Sequence, residues 1–201
     1  MRKLSRRRLL GFGSAAIAFV AALPVTTDAG IPDAASLLDK ARDAVDRHAQ
    51  HLTYRDRIGI VDFSSASNVP RLSIVDLANG RSEHFLVAHG RGSDPLHTGW
   101  VSRLSNEPGS YASSGGAYVT GGYYVGTHGR SMRLDGLDAN NSNAAARAIV
   151  VHAAWYVSPE IARATGKLGR SEGCFAVAPT DLEQVLERLG PGRLLFADKS
   201  T

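Results

Sequence analysis

Cys174 is the only cysteine in the 201-residue chain, and it stands after a glycine in the stretch Leu168-Gly-Arg-Ser-Glu-Gly-Cys-Phe-Ala-Val177. His152 lies 22 residues earlier, within the apolar run Ala148-Ile-Val-Val-His-Ala-Ala-Trp-Tyr-Val157. A thiol and an imidazole are the parts that cysteine-dependent acyl transfer requires. A free thiol with a pKa of about 8.5 is only slightly ionised at neutral pH. A neighbouring imidazole can take its proton, so Cys174 is the candidate nucleophile and His152 the candidate base. The backbone N–H groups of Gly173 and Cys174 are candidate donors to the oxyanion formed on attack. The acceptor that orients the imidazole is open between a backbone carbonyl and a side chain. The competing reading of a lone cysteine is a buried, inert one. Ser171-Glu-Gly before Cys174 favours a turn with accessible N–H groups instead. Glu172 would raise the thiol pKa if it faced the sulfur, and a turn at Gly173 is expected to point it away as a solvated rim residue.

Other chemistries find little footing. His84, His89 and His97 lack the i, i+4 spacing of a zinc-peptidase helix, so neither metal nor cofactor is expected. Gly115-Gly116 and Gly121-Gly122 do not open helices, which argues against phosphate or dinucleotide loops.

The elements that must position the thiol and the imidazole read as mainly β with peripheral helices. Apolar residues at Leu37, Leu38, Ala41, Ala44, Val45 and Ala49 recur at three and four, predicting an amphipathic helix between Ile31 and His51, capped by Asp33. His48 and His51 are expected at the surface. Short β-branched runs at Ile58–Phe63, Arg71–Leu77 and His84–His89 begin an antiparallel sheet, with Asn79-Gly80 as a hairpin signal. The Gly- and Ser-rich section from His89 to Gly126 holds weak strands near Val101–Leu104 and Ala117–Val125. Arg133–Leu137 is expected to turn, and Asn140–Asn143 to cap a helical turn at Ala144–Ala148. His152 then lies on a strand, and Pro159–Ala164 forms a helical turn closed by Gly166. Thr180-Asp-Leu-Glu183 predicts a capping box on a helix ending at Leu189 and Gly190, before a last strand at Arg193–Ala197.

The first 29 residues are set apart. A basic segment with Arg6-Arg7-Arg8-Leu9-Leu10 precedes an apolar stretch from Leu9 to Leu23 and small residues from Val25 to Ala29. This predicts an export signal of the twin-arginine type, cut after Ala29 or nearer Ala22. An uncleaved anchor is the alternative, but the apolar stretch is short of the roughly 20 residues a spanning helix needs. The chain has 23 Lys and Arg against 19 Asp and Glu, and the first 29 residues hold five of those bases and one acid. The remainder is formally neutral, so the basic balance does not imply nucleic acid. One domain, residues 30–201, is expected, as a monomer with no membrane span once the signal is removed.

Two of these stretches carry a family resemblance. Ile149-Val-Val-His-Ala-Ala-Trp-Tyr-Val-Ser158 and Leu168-Gly-Arg-Ser-Glu-Gly-Cys-Phe-Ala-Val177, with the run from Ser105 to Asn141, resemble the murein L,D-transpeptidase (YkuD-like) catalytic domain. The likeness is to its variant branch, with Ser-x-Gly-Cys-x-Ala-Val about the nucleophile. The resemblance implies an L,D-transpeptidase-like sandwich or mixed sheet and an exported, periplasmic or cell-envelope enzyme. Cys174 would form a thioester with the diaminopimelate carbonyl of a peptidoglycan stem and release D-alanine. It also implies substrate-side roles for Tyr111, Ser113, Tyr124, His128 and Ser171. The sequence departs from the common motif at Glu172, where a histidine is usual, and at Ala153, where glycine is usual. His128, in Thr-His-Gly, competes with His152 as base, but the family pattern keeps the base on an apolar strand closer to the nucleophile. Transfer to an amine, hydrolysis by water, and a wall-binding domain with an incidental thiol are the three functional outcomes.

Overall fold

A computed structural model describes residues 32–199, and the side chains from residue 37 onward. The proposed export signal at residues 1–29 lies outside the described residues, and so does the side chain expected to cap the first helix at Asp33. Helix α1 spans Pro32–Arg47. Its buried positions, Leu37, Ala41, Ala44 and Val45, follow the helical period, and Asp39, Arg42 and Asp46 face solvent on the other side. The buried stripe packs on Ile58, Ile60, Leu194 and Phe196.

Nine strands form one mixed sheet among the described residues: β1 (Arg57–Asp62), β2 (Leu72–Asp76), β3 (Ser82–Phe85), β4 (Val87–Ala88), β5 (Gly116–Gly126), β6 (Gly129–Gly136), β7 (Val150–Ala153), β8 (Phe175–Val177) and β9 (Leu194–Asp198). Their order is β3-β2-β1-β9-β5-β6-β7-β8-β4. The pairs β1–β9 and β7–β8 are parallel, and the others antiparallel. Only Leu86 separates β3 from β4, yet these strands are the two ends of that order. The two ends of the order therefore meet in one run of chain, and the sheet curls back on itself. Inside lie Phe63, Tyr118, Met132, Leu134, Val151 and Phe175. Helix α3 (Leu182–Leu189) adds Leu182, Val185, Leu186 and Leu189 to that core. A third cluster, under α2 (Pro159–Thr165), joins Ala162, Leu168 and Ala176.

The mainly-β fold with helices is the one expected, with local corrections. Val101–Leu104 is not a strand; Ser102 N–H bonds to the Ser93 carbonyl and holds the segment as a loop. Arg133–Leu137 is not a turn, because β6 runs to Gly136 between β5 and β7 and ladder bonding overrides the Asp-Gly signal. The capping box at Thr180 does not form. Asp181 occupies the cap with helical dihedrals and no side-chain bond to the helix, and Thr180 donates to it at 3.0 Å instead. His48 is half-buried rather than at the surface, 2.9 Å from Asp138.

Candidate functional site

Strands β7 and β8 carry the two candidate groups. Their parallel register sets Val151 beside Phe175 and His152 beside Ala176. Val151 and Phe175 point into the core, so alternation turns His152 to the opposite face. Cys174 immediately precedes β8, one step before Phe175, so the pairing of β7 with β8 brings its backbone beside the strand that carries His152, while no hydrogen bond joins the two side chains. The side chain of Cys174 is half-buried and that of His152 is 2% exposed.

His152 Nδ1 lies 2.8 Å from the Ala153 carbonyl oxygen. A carbonyl can only accept, so the proton is on Nδ1 and the Nε2 lone pair is free for proton transfer. The orienting group left open by sequence is thus a backbone carbonyl. Burial lowers the pKa of His152, the Ala153 contact opposes this, and His128 lowers it further. The ring is therefore neutral at neutral pH, as a base must be.

Burial raises the Cys174 thiol pKa above its ordinary value. The Val150 N–H and the Arg147 charge oppose this, Glu172 adds to it, and the Cys174 N–H opposes it. The thiol donates to the Ala148 carbonyl at 3.5 Å, and Ala148 itself has φ 52°. The sulfur is thus held by the segment entering β7.

The turn bearing Cys174 is tied down on one side by buried serines. The Ser171 hydroxyl donates to the Cys174 carbonyl at 2.7 Å and accepts from the Gly173 N–H at 3.1 Å. The Ser113 hydroxyl accepts from Gly90 N–H at 3.0 Å and donates to the Gly173 carbonyl at 3.1 Å. Ser113 is fully buried and Ser171 nearly so. Both bond to the loop, and in this structure they position the turn bearing Cys174. The Gly173 N–H, expected as an oxyanion donor, is committed to Ser171; the Cys174 N–H is the remaining backbone candidate. Gly173 has φ 122°, a conformation that side chains avoid and that lets the chain turn just before the sulfur. Backbone bonds from Ser171 N–H to the His89 carbonyl and from Arg91 N–H to the Ser171 carbonyl fasten the turn to the end of β4.

Behind that fastening lies a buried network that sequence reasoning missed. Arg71, His89 and Asp94 are 3%, 1% and 2% exposed. Arg71 donates to the Val87 carbonyl at 3.1 Å and to His89 Nδ1 at 2.6 Å, and His89 Nε2 faces Asp94 at 3.4 Å. Asp94 accepts from the Thr98 and Gly99 N–H groups, both at 2.8 Å. No local spacing announces this set; its members meet only when β2 and β4 come together.

The remaining sequence candidates surround the thiol unevenly. Tyr111 is 43% exposed at φ 53°, with the Arg91 guanidinium 3.8 Å over its ring. It separates two recesses. One, of about 250 Å³, is lined by Arg91, Pro95, Ser110 and Arg170. The other, of about 220 Å³, is lined by Pro108, Ala146, Arg147 and Glu172. Glu172 leans out to Arg91 at 3.0 Å. His128, at the exposed tip of the β5–β6 hairpin, stacks on His152 with ring centres 4.2 Å apart. A register shift between Thr120 and Tyr123 increases the twist of that hairpin. Tyr124, Ser131 and His152 lie in one register row across β5, β6 and β7, and Arg133 covers the Tyr124 ring at 4.4 Å. Arg147 is the one charged residue of the alanine-rich Ala144–Ala148 segment, a signal in the sequence that could have singled it out. Among the described residues no His, Cys, Asp or Glu group could hold a metal ion, and no helix is long and apolar enough to cross a membrane.

Residues 33–197 match the family described as the L,D-transpeptidase catalytic domain. Among solved structures, an L,D-transpeptidase from Mycobacterium smegmatis is 10% identical over 71% of this chain and 58% of its own, with a TM-score of 0.42. One from Mycobacterium tuberculosis H37Rv is 16% identical over 71% and 57%, with a TM-score of 0.40. One from Stackebrandtia nassauensis is 15% identical over 73% and 57%, with a TM-score of 0.41. The chain thus spans less than two thirds of the length of these structures. No curated protein matches the chain.

Proposed function

Because the chain belongs to the L,D-transpeptidase catalytic-domain family, we propose that it is a cysteine acyltransferase acting on peptidoglycan stem peptides. The observation that carries this reading is a half-buried thiol one residue before β8, the strand paired in parallel with that of His152, whose tautomer is fixed by the Ala153 carbonyl. In the reaction, the Cys174 proton passes to His152 Nε2 and the thiolate attacks the carbonyl of the third stem residue, diaminopimelate. The carbonyl electron pair becomes an oxyanion, with the Cys174 N–H as candidate donor. As the oxyanion collapses, the C–N bond breaks, His152 returns the proton to the departing D-alanine amine, and a thioester remains. An amine from a second stem, losing its proton to His152, then attacks the thioester. Cys174 leaves as thiolate and a cross-link between third residues has formed. The site is proposed to work outside the cytoplasm, in the periplasm or cell envelope, on the strength of the basic and apolar segment at residues 1–29.

A carbapenem tests the nucleophile directly, since its strained lactam acylates a reactive thiolate. Intact mass should rise by one carbapenem in the wild type and not in Cys174→Ala. His152→Ala should acylate at least about a hundredfold more slowly, the usual loss with a general base. An equal loss confined to His128→Ala would transfer the role to the other ring. A wild type that forms no adduct would remove the acyl-transfer reading and leave a wall-binding domain. Mass spectrometry of muropeptide products with and without an acceptor stem then separates transfer from hydrolysis.

A further inference from the structure

Arg147 has a charge with no evident counter-ion. Its Nη1 donates to the Ser105 carbonyl at 2.7 Å and its Nη2 to the Ala112 carbonyl. These are neutral acceptors, and no carboxylate pairs with Arg147 among the described residues. The side chain is half-buried, where an unpaired cation is costly and an anion placed nearby is strongly favoured. Its fork is aimed at the nucleophile turn: a methyl group built on Gly173 would lie 3.1 Å from Nη2. The next residue along the chain, Ala148, accepts the thiol of Cys174.

We propose that Arg147 is the fixed cation that stabilises the thiolate of Cys174, held in place by the carbonyls of Ser105 and Ala112. This rests on Cys174 being the nucleophile. The other charges near the sulfur divide clearly. Glu172, on the same turn, opposes the thiolate and is drawn away by Arg91. Tyr156, beyond β7, feels the sulfur as a negative neighbour and stays a neutral phenol, its pKa pushed up to about 12, chiefly by burial. His152 on β7, with His128 stacked on it, is neutral until it takes the proton. Arg147 is thus the permanent positive charge acting on the sulfur. Burial lowers its own pKa, and Tyr118 and Cys174 raise it, the reciprocal of its effect on the thiol.

The test is the pH profile of alkylation by iodoacetamide on the purified full chain, read by intact mass, which is unambiguous with one cysteine. Arg147→Gln should raise the thiol midpoint by about one pH unit or more, the scale of losing an opposite charge at close range. Alkylation at pH 7 should then slow by about tenfold. Arg147→Lys, which keeps the charge but not the fork, should bring the midpoint back to within about half a unit of the wild type. Circular dichroism and a thermal melt accompany each variant, because Arg147 also tethers two loops. An unchanged midpoint in a folded Arg147→Gln protein overturns the proposal. Should that variant not fold, Arg147→Lys decides: a midpoint held supports a charge effect, and one raised by more than half a unit overturns it. Absence of a carbapenem adduct in the wild type would instead defeat the acyl-transfer reading, a result separate from the midpoint shift.

Discussion

Lowering the pH from 7 to 5 should weaken the fold through the imidazole of His89, and the structure sets the size of the effect. Arg71 donates to His89 Nδ1 at 2.6 Å, and a guanidinium cannot accept, so the His89 proton must sit on Nε2, toward Asp94. A second proton could go only onto Nδ1, against a guanidinium already in contact. Burial and then Arg71 push the His89 pKa down to about 4 from 6.5, with Asp94 opposing. A group with a depressed folded pKa contributes stability in full above its unfolded pKa and loses it as pH falls through the folded value. The window is therefore pH 6.5 to 4. At about 1.4 kcal/mol per unit the whole contribution is about 3 kcal/mol, of which about 2 kcal/mol is lost between pH 7 and pH 5. Asp94 keeps its charge over this range, since its pKa is lowered: burial raises it, but hydrogen bonds from Thr98 and Gly99 outweigh that. Urea titrations at both pH values measure the loss. His89→Gln gives the control, because a glutamine amide can accept from Arg71 and donate to Asp94 without titrating. The variant should lose about 2 kcal/mol less than the wild type over the same interval. His152 also has a lowered pKa, but its contribution is common to both proteins and cancels. Equal pH losses in the two proteins would refute the assignment.

Two further substitutions probe the turn that holds the thiol. A methyl group on Gly90 would overlap the Tyr111 carbonyl oxygen and lie 2.8 Å from Gly173 N and Cα, all backbone atoms that cannot swing aside. Gly90→Ala should therefore destabilise by roughly 1–3 kcal/mol and slow carbapenem acylation by about tenfold or more; an unaltered melt and rate would show that the loops give way freely. Ser171→Ala leaves the buried Gly173 N–H without its acceptor and the Cys174 carbonyl without its donor. About 1–3 kcal/mol should be lost in a denaturant titration, with slower acylation, and a stability equal to the wild type would rule out the clamp.

Much of the fold could be read ahead of the coordinates where local pattern and tertiary demand agree. The helical period from Leu37 to Val45, the β-branched runs around Ile60 and Ile74, and Gly166 and Gly190 as helix ends are all present. Where the two conflict, the ladder prevails: Asp135-Gly136 looks like a turn but finishes a strand paired on both sides. His84–His89, one run in sequence, bends at Leu86 because its halves pair with strands at the two ends of the sheet order.

The sequence by itself determined which thiol is the candidate for acyl transfer, because such chemistry needs a cysteine and the chain has one, preceded by a glycine that permits a sharp turn. It also marked His152 as a strand residue through its apolar neighbours. Only the tertiary structure decided what surrounds them. The parallel pairing of β7 and β8 brings the strand of His152 beside the one that Cys174 precedes, and the Ala153 carbonyl selects the tautomer. Arg147, Ser113 and the Arg71–His89–Asp94 network reach the turn bearing Cys174 from 27, 61 and 80 or more residues away along the chain. Such contacts depend on how the sheet closes, and hydrogen bonds and charges act over ångströms of space whatever the separation in sequence.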